Sequence, residues 1–197
     1  MRLSSSPASW LNEFPQCEMT SLRVLVLPDW ERSDPTDWSR RWAAAHGHTL
    51  VEQHDVKRPL RGDWLIQLEE AVLEAPGQVV LVARGLACAL VAAWSLFTHQ
   101  RGKVRAALLV APLDLNLASL GEVLPSWVPQ VRQPLPFRAV VVASAHPPYG
   151  SASAAQALAQ DWGARWVPTC LEAGPFSESA ASDWPEGCAL LNELMKD

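Results

Sequence analysis

The sequence predicts a three-layer α/β fold, in which about six mostly parallel strands carry helices on both faces of the sheet. Short runs of β-branched residues alternate with longer helical patterns along the chain, and this alternation is typical of a parallel sheet. Several of the expected strands are apolar at consecutive positions rather than at every second one. That pattern indicates strands that are covered on both faces.

The periodicity predicts strands over residues 22–27, 48–53, 79–83, 106–110, 139–144 and 165–168. Helices are predicted between or after them, over residues 37–45, 63–74, 86–98, 152–162 and 186–195. In an open parallel sheet, binding sites form at the carboxyl ends of the strands. The loops that follow residues 27, 83, 144 and 168 should therefore converge.

Length and composition favour one domain. A chain of 197 residues with 49% apolar and 19% charged residues is long enough for one buried core and short for two. Residues 1–20 hold scattered apolar residues among Ser and Pro and read as a loose extension, so the single domain is expected over residues 21–197.

Charge and hydropathy exclude several classes of partner. The net charge is −5 and the basic residues are scattered, which argues against nucleic acid. No run approaches the roughly 18 apolar residues of a membrane-spanning helix, and the first residues lack the apolar core of an export signal. We therefore expect a cytoplasmic protein that contacts no membrane.

The cysteines and histidines give no sign of a bound metal. Cys17, Cys88, Cys170 and Cys188 lie far apart in the sequence, without the spacing of metal ligands, so reduced thiols are expected. Cys88 falls on the apolar helix over 86–98, where a buried thiol is inert. No cofactor is predicted.

A long connection over residues 111–136 contains five prolines. Loops of that length are usually lids, binding loops or disordered segments. Its large apolar residues favour a cap that packs over the cleft, and they are Leu113, Leu115, Leu117, Leu120, Leu124 and Trp127.

Gly85 lies where a strand turns sharply into a helix of small residues. This is the setting of the nucleophile elbow Gly-x-Ser-x-Gly, whose serine attacks acyl groups. In register, residues 83–87 read Ala-Arg-Gly-Leu-Ala. The hydroxyl and both flanking glycines of that motif are therefore replaced.

An ordered series of short motifs extends from residue 22 to residue 195. It includes Pro-Asp-Trp at 28–30, Val-Glu-Gln at 51–53, the elbow, Leu-Val-Ala-Pro at 109–112, Val-Val-Ala-Ser at 141–144, Glu-Ala-Gly at 172–174 and Trp-Pro-Glu-Gly at 184–187. In this series the chain resembles the small serine α/β-hydrolases, the family of retinoblastoma-binding protein nine and YdeN-like proteins. The resemblance implies an α/β-hydrolase-type fold and a Ser, Asp, His triad in that chain order.

Each triad position that the resemblance implies carries another residue here. Gly85 stands at the nucleophile. The family pattern Ser-x-x-Asp-Pro-Tyr reads Ser-Ala-His-Pro-Pro-Tyr at 144–149, which puts Pro147 at the acid, and Glu-Ala-Gly-His becomes Glu-Ala-Gly-Pro, which puts Pro175 at the base. Glycine and proline side chains cannot attack or accept a proton. Asp29 replaces the glycine expected in the oxyanion-hole loop, where its carboxylate would repel an oxyanion.

The remaining residues near the predicted cleft leave alternatives open. His146 adjoins the acid position and is the candidate for a relocated base, whereas an ordinary loop histidine is the simpler interpretation. Arg84 and Asp29 should both point to the floor of the cleft. Arg84 could pair with Asp29, collect an anionic ligand at the helix N-terminus or extend to water.

Trp30 and Trp127 should border the mouth of the cleft. Exposed there, they would anchor a protein partner; alternatively they pack together and close the pocket. Six other tryptophans are expected in the core or at its edge: Trp38, Trp42, Trp64, Trp94, Trp162 and Trp184.

Three functional hypotheses follow. The first is a catalytically inactive pseudohydrolase that binds a protein or a small-molecule ligand through Asp29, Trp30, Arg84, Gly85, His146 and Trp127. The second is an active esterase or amidase with a catalytic constellation relocated near His146. The third is a structural subunit of a homo-oligomer, with Trp30 and Trp127 buried at the interface.

Overall fold

The computed structural model describes residues 21–30, 37–144, 151–169 and 184–196. Its sheet has six strands, all parallel, in the order β2-β1-β3-β4-β5-β6. The strands are β1 (Arg23–Leu27), β2 (Thr49–Leu50), β3 (Val79–Arg84), β4 (Val104–Val110), β5 (Arg138–Ser144) and β6 (Arg165–Thr169). The predicted three-layer fold is confirmed.

The helices form the two outer layers. They are α1 (Trp38–His46), α2 (Arg61–Glu74), α3 (Leu86–Phe97), α4 (Ala118–Val123), α5 (Ala152–Asp161) and α6 (Pro185–Met195). Side chains of α2, α3 and α5 pack with Leu25, Leu27 and Leu81 on one face of the sheet. Side chains of α1 and α6 pack with Val24, Val26 and Val80 on the other. Since both faces are covered, the strands are apolar at consecutive positions.

The largest deviation from the predicted strands is at β2. The sequence predicts a strand over residues 48–53, whereas β2 has two residues, Thr49 and Leu50. Among the described strands, β2 pairs only with β1, because it lies at the edge of the sheet. A very short edge strand exposes few unpaired backbone groups.

The connection over residues 111–136 forms a packed cap, as predicted, and contains the additional helix α4. Leu113, Leu115, Leu120, Leu124 and Trp127 are buried, whereas Leu117 is exposed. The cap is joined to the start of α2, because the backbone N–H of Arg61 donates to Ser126 Oγ (3.3 Å). The Trp127 ring also meets the Trp64 ring edge to face, with centroids 5.5 Å apart.

The six tryptophans expected in the core are all buried. Trp38, Trp42 and Trp184 form one aromatic group between α1 and α6, with the Trp38 and Trp42 rings stacked 5.1 Å apart. Within the part of the chain that the structure describes, no helix has the length and apolar character needed to cross a membrane.

Candidate functional site

The turn between β3 and α3 has the backbone geometry of an elbow. Gly85 connects the two elements with φ 56° and ψ −118°, a conformation that strains any residue with a Cβ atom and that glycine adopts freely. Its N–H donates to the carbonyl oxygen of Val110 on the neighbouring strand (3.0 Å). The sharp strand-to-helix turn predicted from the sequence is therefore present.

The carboxylate of Asp29 lies directly over Gly85. Asp29 follows β1, and a Cβ atom built on Gly85 would overlap both carboxylate oxygens and the carbon between them. The side chain of any other residue at position 85 would begin in this space. The loops after β1 and β3 thus converge at the carboxyl edge of the sheet, as predicted.

Asp29 also accepts hydrogen bonds from backbone N–H groups at this turn. Its Oδ1 accepts the N–H of Leu86, the first residue of α3 (2.8 Å), and the N–H of Trp30 (2.9 Å). In hydrolases with an elbow, the N–H after the nucleophile and an N–H from a second loop stabilise the oxyanion. The N-terminus of a helix favours negative charge. The Asp29 carboxylate is the negative group bound there in this chain.

Arg84 has a partner that is not among the three alternatives given for it above, which are Asp29, an anionic ligand and water. Its Nη1 donates to Oδ2 of Asp37 (3.2 Å), and the Arg84 and Asp37 side chains are 11% and 0% exposed. Asp37 also caps α1, because its Oδ1 accepts the N–H and the hydroxyl of Ser39. Arg84 therefore does not extend to water: it joins the end of β3 to the start of α1.

Sequence reasoning missed this role of Asp37. The sequence predicts Asp37 only at the start of a helix, and its spacing to Ser39 is typical of a capping aspartate. Nothing in the sequence connects it with Arg84, which lies 47 residues away.

Of the two alternatives for Trp30 and Trp127, exposure at the cleft mouth is contradicted. They are 6% and 1% exposed and belong to the same apolar cluster. Trp127 can be buried because its indole N–H donates to the carbonyl oxygen of Pro59 (2.9 Å), which satisfies the one polar group of the ring. This burial removes the basis for an oligomer interface built on the two rings and fits the alternative in which they help to close the pocket.

Cys88 lies on α3, one turn after the elbow, and is fully buried. Its Sγ is within hydrogen-bond distance of the carbonyl oxygens of Ala83 (3.4 Å) and Val110 (3.5 Å). Burial raises the pKa of this thiol well above its usual value, and the negative charge of Asp29 adds to the effect. The thiol is therefore protonated at neutral pH and inert, as the sequence predicted.

The other predicted site residues, His146, Pro147 and Pro175, lie outside the described residues. Within the described ranges, no cluster of three or more His, Cys, Asp and Glu side chains could hold a metal ion.

Comparisons with known proteins agree with this fold. The sequence matches the family model for serine hydrolase over residues 24–193. A protein described as a YdeN-like hydrolase, from Pectobacterium atrosepticum, is similar in structure with a TM-score of 0.72 and 20% identity, over 88% of this chain and 90% of that one. The ydeN gene product of B. subtilis is similar with a TM-score of 0.71 and 17% identity, over 90% of this chain and 100% of that one.

Esterase 2 of Thermogutta terrifontis, in a form phosphoramylated by tabun, has a TM-score of 0.62 and 14% identity, over 93% of this chain and 85% of that one. No curated protein sequence matches the chain. The structural similarities, all at low identity, support the fold, whereas the family model covers most of the sequence. The chain belongs to the serine hydrolase family.

Proposed function

We propose that this chain is a pseudohydrolase: a member of the serine hydrolase family that does not hydrolyse esters or amides and that acts as a binding module for a protein or a small-molecule ligand. The observation that carries the proposal is the Asp29 carboxylate over Gly85, where the side chain of a nucleophile would begin.

Two chemical requirements of acyl transfer are unmet at this turn. Covalent catalysis needs a side chain that attacks the carbonyl carbon, and glycine has none. Stabilisation of the tetrahedral intermediate needs donors that are directed at a developing oxyanion, and the Leu86 N–H instead donates to a carboxylate. An incoming oxyanion would meet a negative charge at this position.

The expected loss of rate is large. Removal of a triad member from serine proteases lowers turnover by several orders of magnitude, and the residual rate comes from substrate binding and the oxyanion donors. Here the nucleophile position holds glycine, and the Leu86 N–H already donates to Asp29, so the contribution of the oxyanion donors is reduced as well. By resemblance, Pro147 and Pro175 stand at the acid and base positions, which adds to the argument from the elbow.

Fluorophosphonate labelling of the purified protein, read by intact mass, tests the proposal together with turnover of a short-chain ester. Esterase 2 of Thermogutta terrifontis is a suitable positive control, because its structure includes a form phosphoramylated by tabun, an organophosphorus compound. We expect the esterase to gain the mass of the label and this chain to keep its own mass, with ester turnover at the buffer rate.

Covalent labelling together with turnover would overturn the proposal and support a relocated catalytic site. Peptide mapping would then identify the labelled serine or cysteine. A His146→Ala variant would decide whether His146 is the base, since that hypothesis requires labelling and turnover to fall together in the variant.

A further inference from the structure

We propose that Cys188 is a modification site, where the thiol forms a mixed disulfide with a low-molecular-weight disulfide such as oxidised glutathione and His46 takes the thiol proton. The two residues lie on α6 and α1, the helices that cover the face of the sheet opposite to α3 and the elbow. The proposal does not depend on whether the elbow has catalytic activity.

Cys188 and His46 bring a nucleophile and a base into contact. Cys188 is the fourth residue of α6, and His46 is the last residue of α1, 142 residues earlier. Cys188 Sγ and His46 Nε2 are 3.6 Å apart, which is within hydrogen-bond distance for sulfur. An imidazole next to a thiol can take its proton, and the thiolate is the nucleophilic form of cysteine.

The His46 imidazole is held between two other rings. It stacks on the ring of His48, with centroids 5.7 Å apart, and meets the ring of Trp42 edge to face at 5.4 Å. Trp42 is buried and also contacts His48 at 5.2 Å. A base that neighbouring groups hold in place loses less conformational freedom in a reaction than a mobile one. These contacts therefore keep the imidazole beside Cys188.

The charges next to His46 allow it to accept a proton. Burial lowers the pKa of His48, and so does the neighbouring His46. The His48 ring is therefore uncharged at neutral pH and does not repel a positive charge on His46. His46 also ends α1, and positive charge is favoured at the C-terminal end of a helix.

Of the two cysteines in the described part of the chain, Cys188 is the one that solvent can reach. It is partly exposed, whereas Cys88 is fully buried. Cys188 also packs against the apolar cluster between α1 and α6, which keeps its side chain next to His46. A dissolved disulfide can therefore reach Cys188 but not Cys88.

The exchange needs no oxidant other than the disulfide itself. The Cys188 thiol gives its proton to His46 Nε2, and the thiolate attacks one sulfur of the disulfide. An S–S bond forms at Cys188 while the original S–S bond breaks. The departing thiolate then takes the proton from His46, so that one free thiol is released for each mixed disulfide formed.

Incubation of the purified protein with oxidised glutathione at neutral pH tests the proposal. Peptide mapping at timed intervals reports the rate at each cysteine separately. We expect a glutathionyl group on Cys188, none on Cys88, and its removal by dithiothreitol. His46→Gln should slow the reaction of Cys188 about tenfold, because an unassisted thiol with a pKa of about 8.5 is only a few per cent thiolate at neutral pH.

Two controls separate the role of His46 from other effects. His99→Gln replaces an exposed histidine that follows α3, and the rate at Cys188 should stay within about twofold of wild type because His99 lies on another element. In urea, wild type and His46→Gln should react at the same rate, since unfolding separates Cys188 from residue 46. Thermal melting verifies that each variant is folded.

Absence of a glutathionyl group on Cys188 would overturn the proposal, and so would a rate that is unchanged in His46→Gln. If His46→Gln does not fold, the comparison of folded with urea-unfolded wild type decides. A Cys188 that reacts no faster in the folded protein than in the unfolded chain would then contradict assistance by His46.

Discussion

The Asp29 carboxylate and a side chain at position 85 would compete for one space. Asp29 occupies it in this structure, and Gly85 is the residue that leaves it open. The two positions are coupled for this reason, although they lie on different loops. The coupling makes a direct prediction for substitutions at both.

Gly85→Ser should lower the free energy of unfolding by about 2 kcal/mol or more, because backbone strain of this kind costs about 1–3 kcal/mol and the new side chain must displace Asp29. In the double variant Asp29→Gly/Gly85→Ser, the loss should be smaller than the sum of the two single losses. Urea denaturation of wild type, the two single variants and the double variant measures this double-mutant cycle. Losses that simply add would show that the two residues do not share the space.

The buried pair of Arg84 and Asp37 should be far more important for stability than a surface pair. Arg84→Met leaves the Asp37 carboxylate buried without this guanidinium, and loss of one partner of a buried pair costs about 3–5 kcal/mol. Arg165→Met breaks the exposed pair with Glu193 and should cost at most about 1 kcal/mol. Chemical denaturation of both variants checks the contrast, and similar losses would contradict it.

Cys88 should make the protein less stable in alkali. Its pKa is raised in the folded state, so above the unfolded thiol pKa of about 8.5 the unfolded chain loses a proton that the folded chain keeps. The contribution of the protonated Cys88 thiol to the unfolding free energy is therefore complete below a pH of about 8.5, the unfolded pKa, and is lost as the pH rises. The quantity to measure is the unfolding free energy of wild type minus that of Cys88→Ala from pH 7 to pH 10. This difference should fall as the pH rises, because only wild type has the thiol. A difference that stays constant would contradict the prediction.

Trp127 should fix the cap to the rest of the domain. Trp127→Ala removes a buried ring and should cost about 3–5 kcal/mol. Trp127→Phe keeps an aromatic ring but removes the indole donor of the Pro59 carbonyl, which keeps the Ser126 hydroxyl as a donor (3.4 Å), and it should cost about 0.5–1.5 kcal/mol. Thermal or urea unfolding measures both values. A cost for Trp127→Ala below that for Trp127→Phe would mean that the ring contributes little packing.

Most of the sheet could be predicted because its strands are buried and apolar. The predicted strands at 79–83 and 139–144 agree with β3 and β5 to within one residue, since a strand covered by helices must be apolar along its length. The short edge strand β2 was overestimated. The length of an edge strand depends on its pairing with the neighbouring strand and on the path of the chain that follows. Neither can be predicted from the local pattern of apolar residues.

The candidate site was predictable in outline only. The sequence placed Gly85 in a sharp turn and Asp29 in a neighbouring loop, because parallel topology brings both loops to one edge. It did not predict that Asp29 accepts the Leu86 N–H, or that Arg84 pairs with Asp37. These are contacts between side chains or backbone groups at least 47 residues apart. For the same reason the sequence left open whether Trp127 is exposed or buried, because its acceptor Pro59 lies 68 residues earlier.

The bond between Asp29 and the Leu86 N–H has a consequence for any dissolved acid that reaches this turn. Asp29 is tethered two residues after β1, so it meets the donor at an effective concentration that is millimolar for a flexible tether and much higher for a rigid one. A dissolved carboxylate must compete for this N–H with the Asp29 carboxylate, which is attached to the same chain. The Leu86 donor should therefore stay bound to Asp29 while small organic acids are present below that effective concentration.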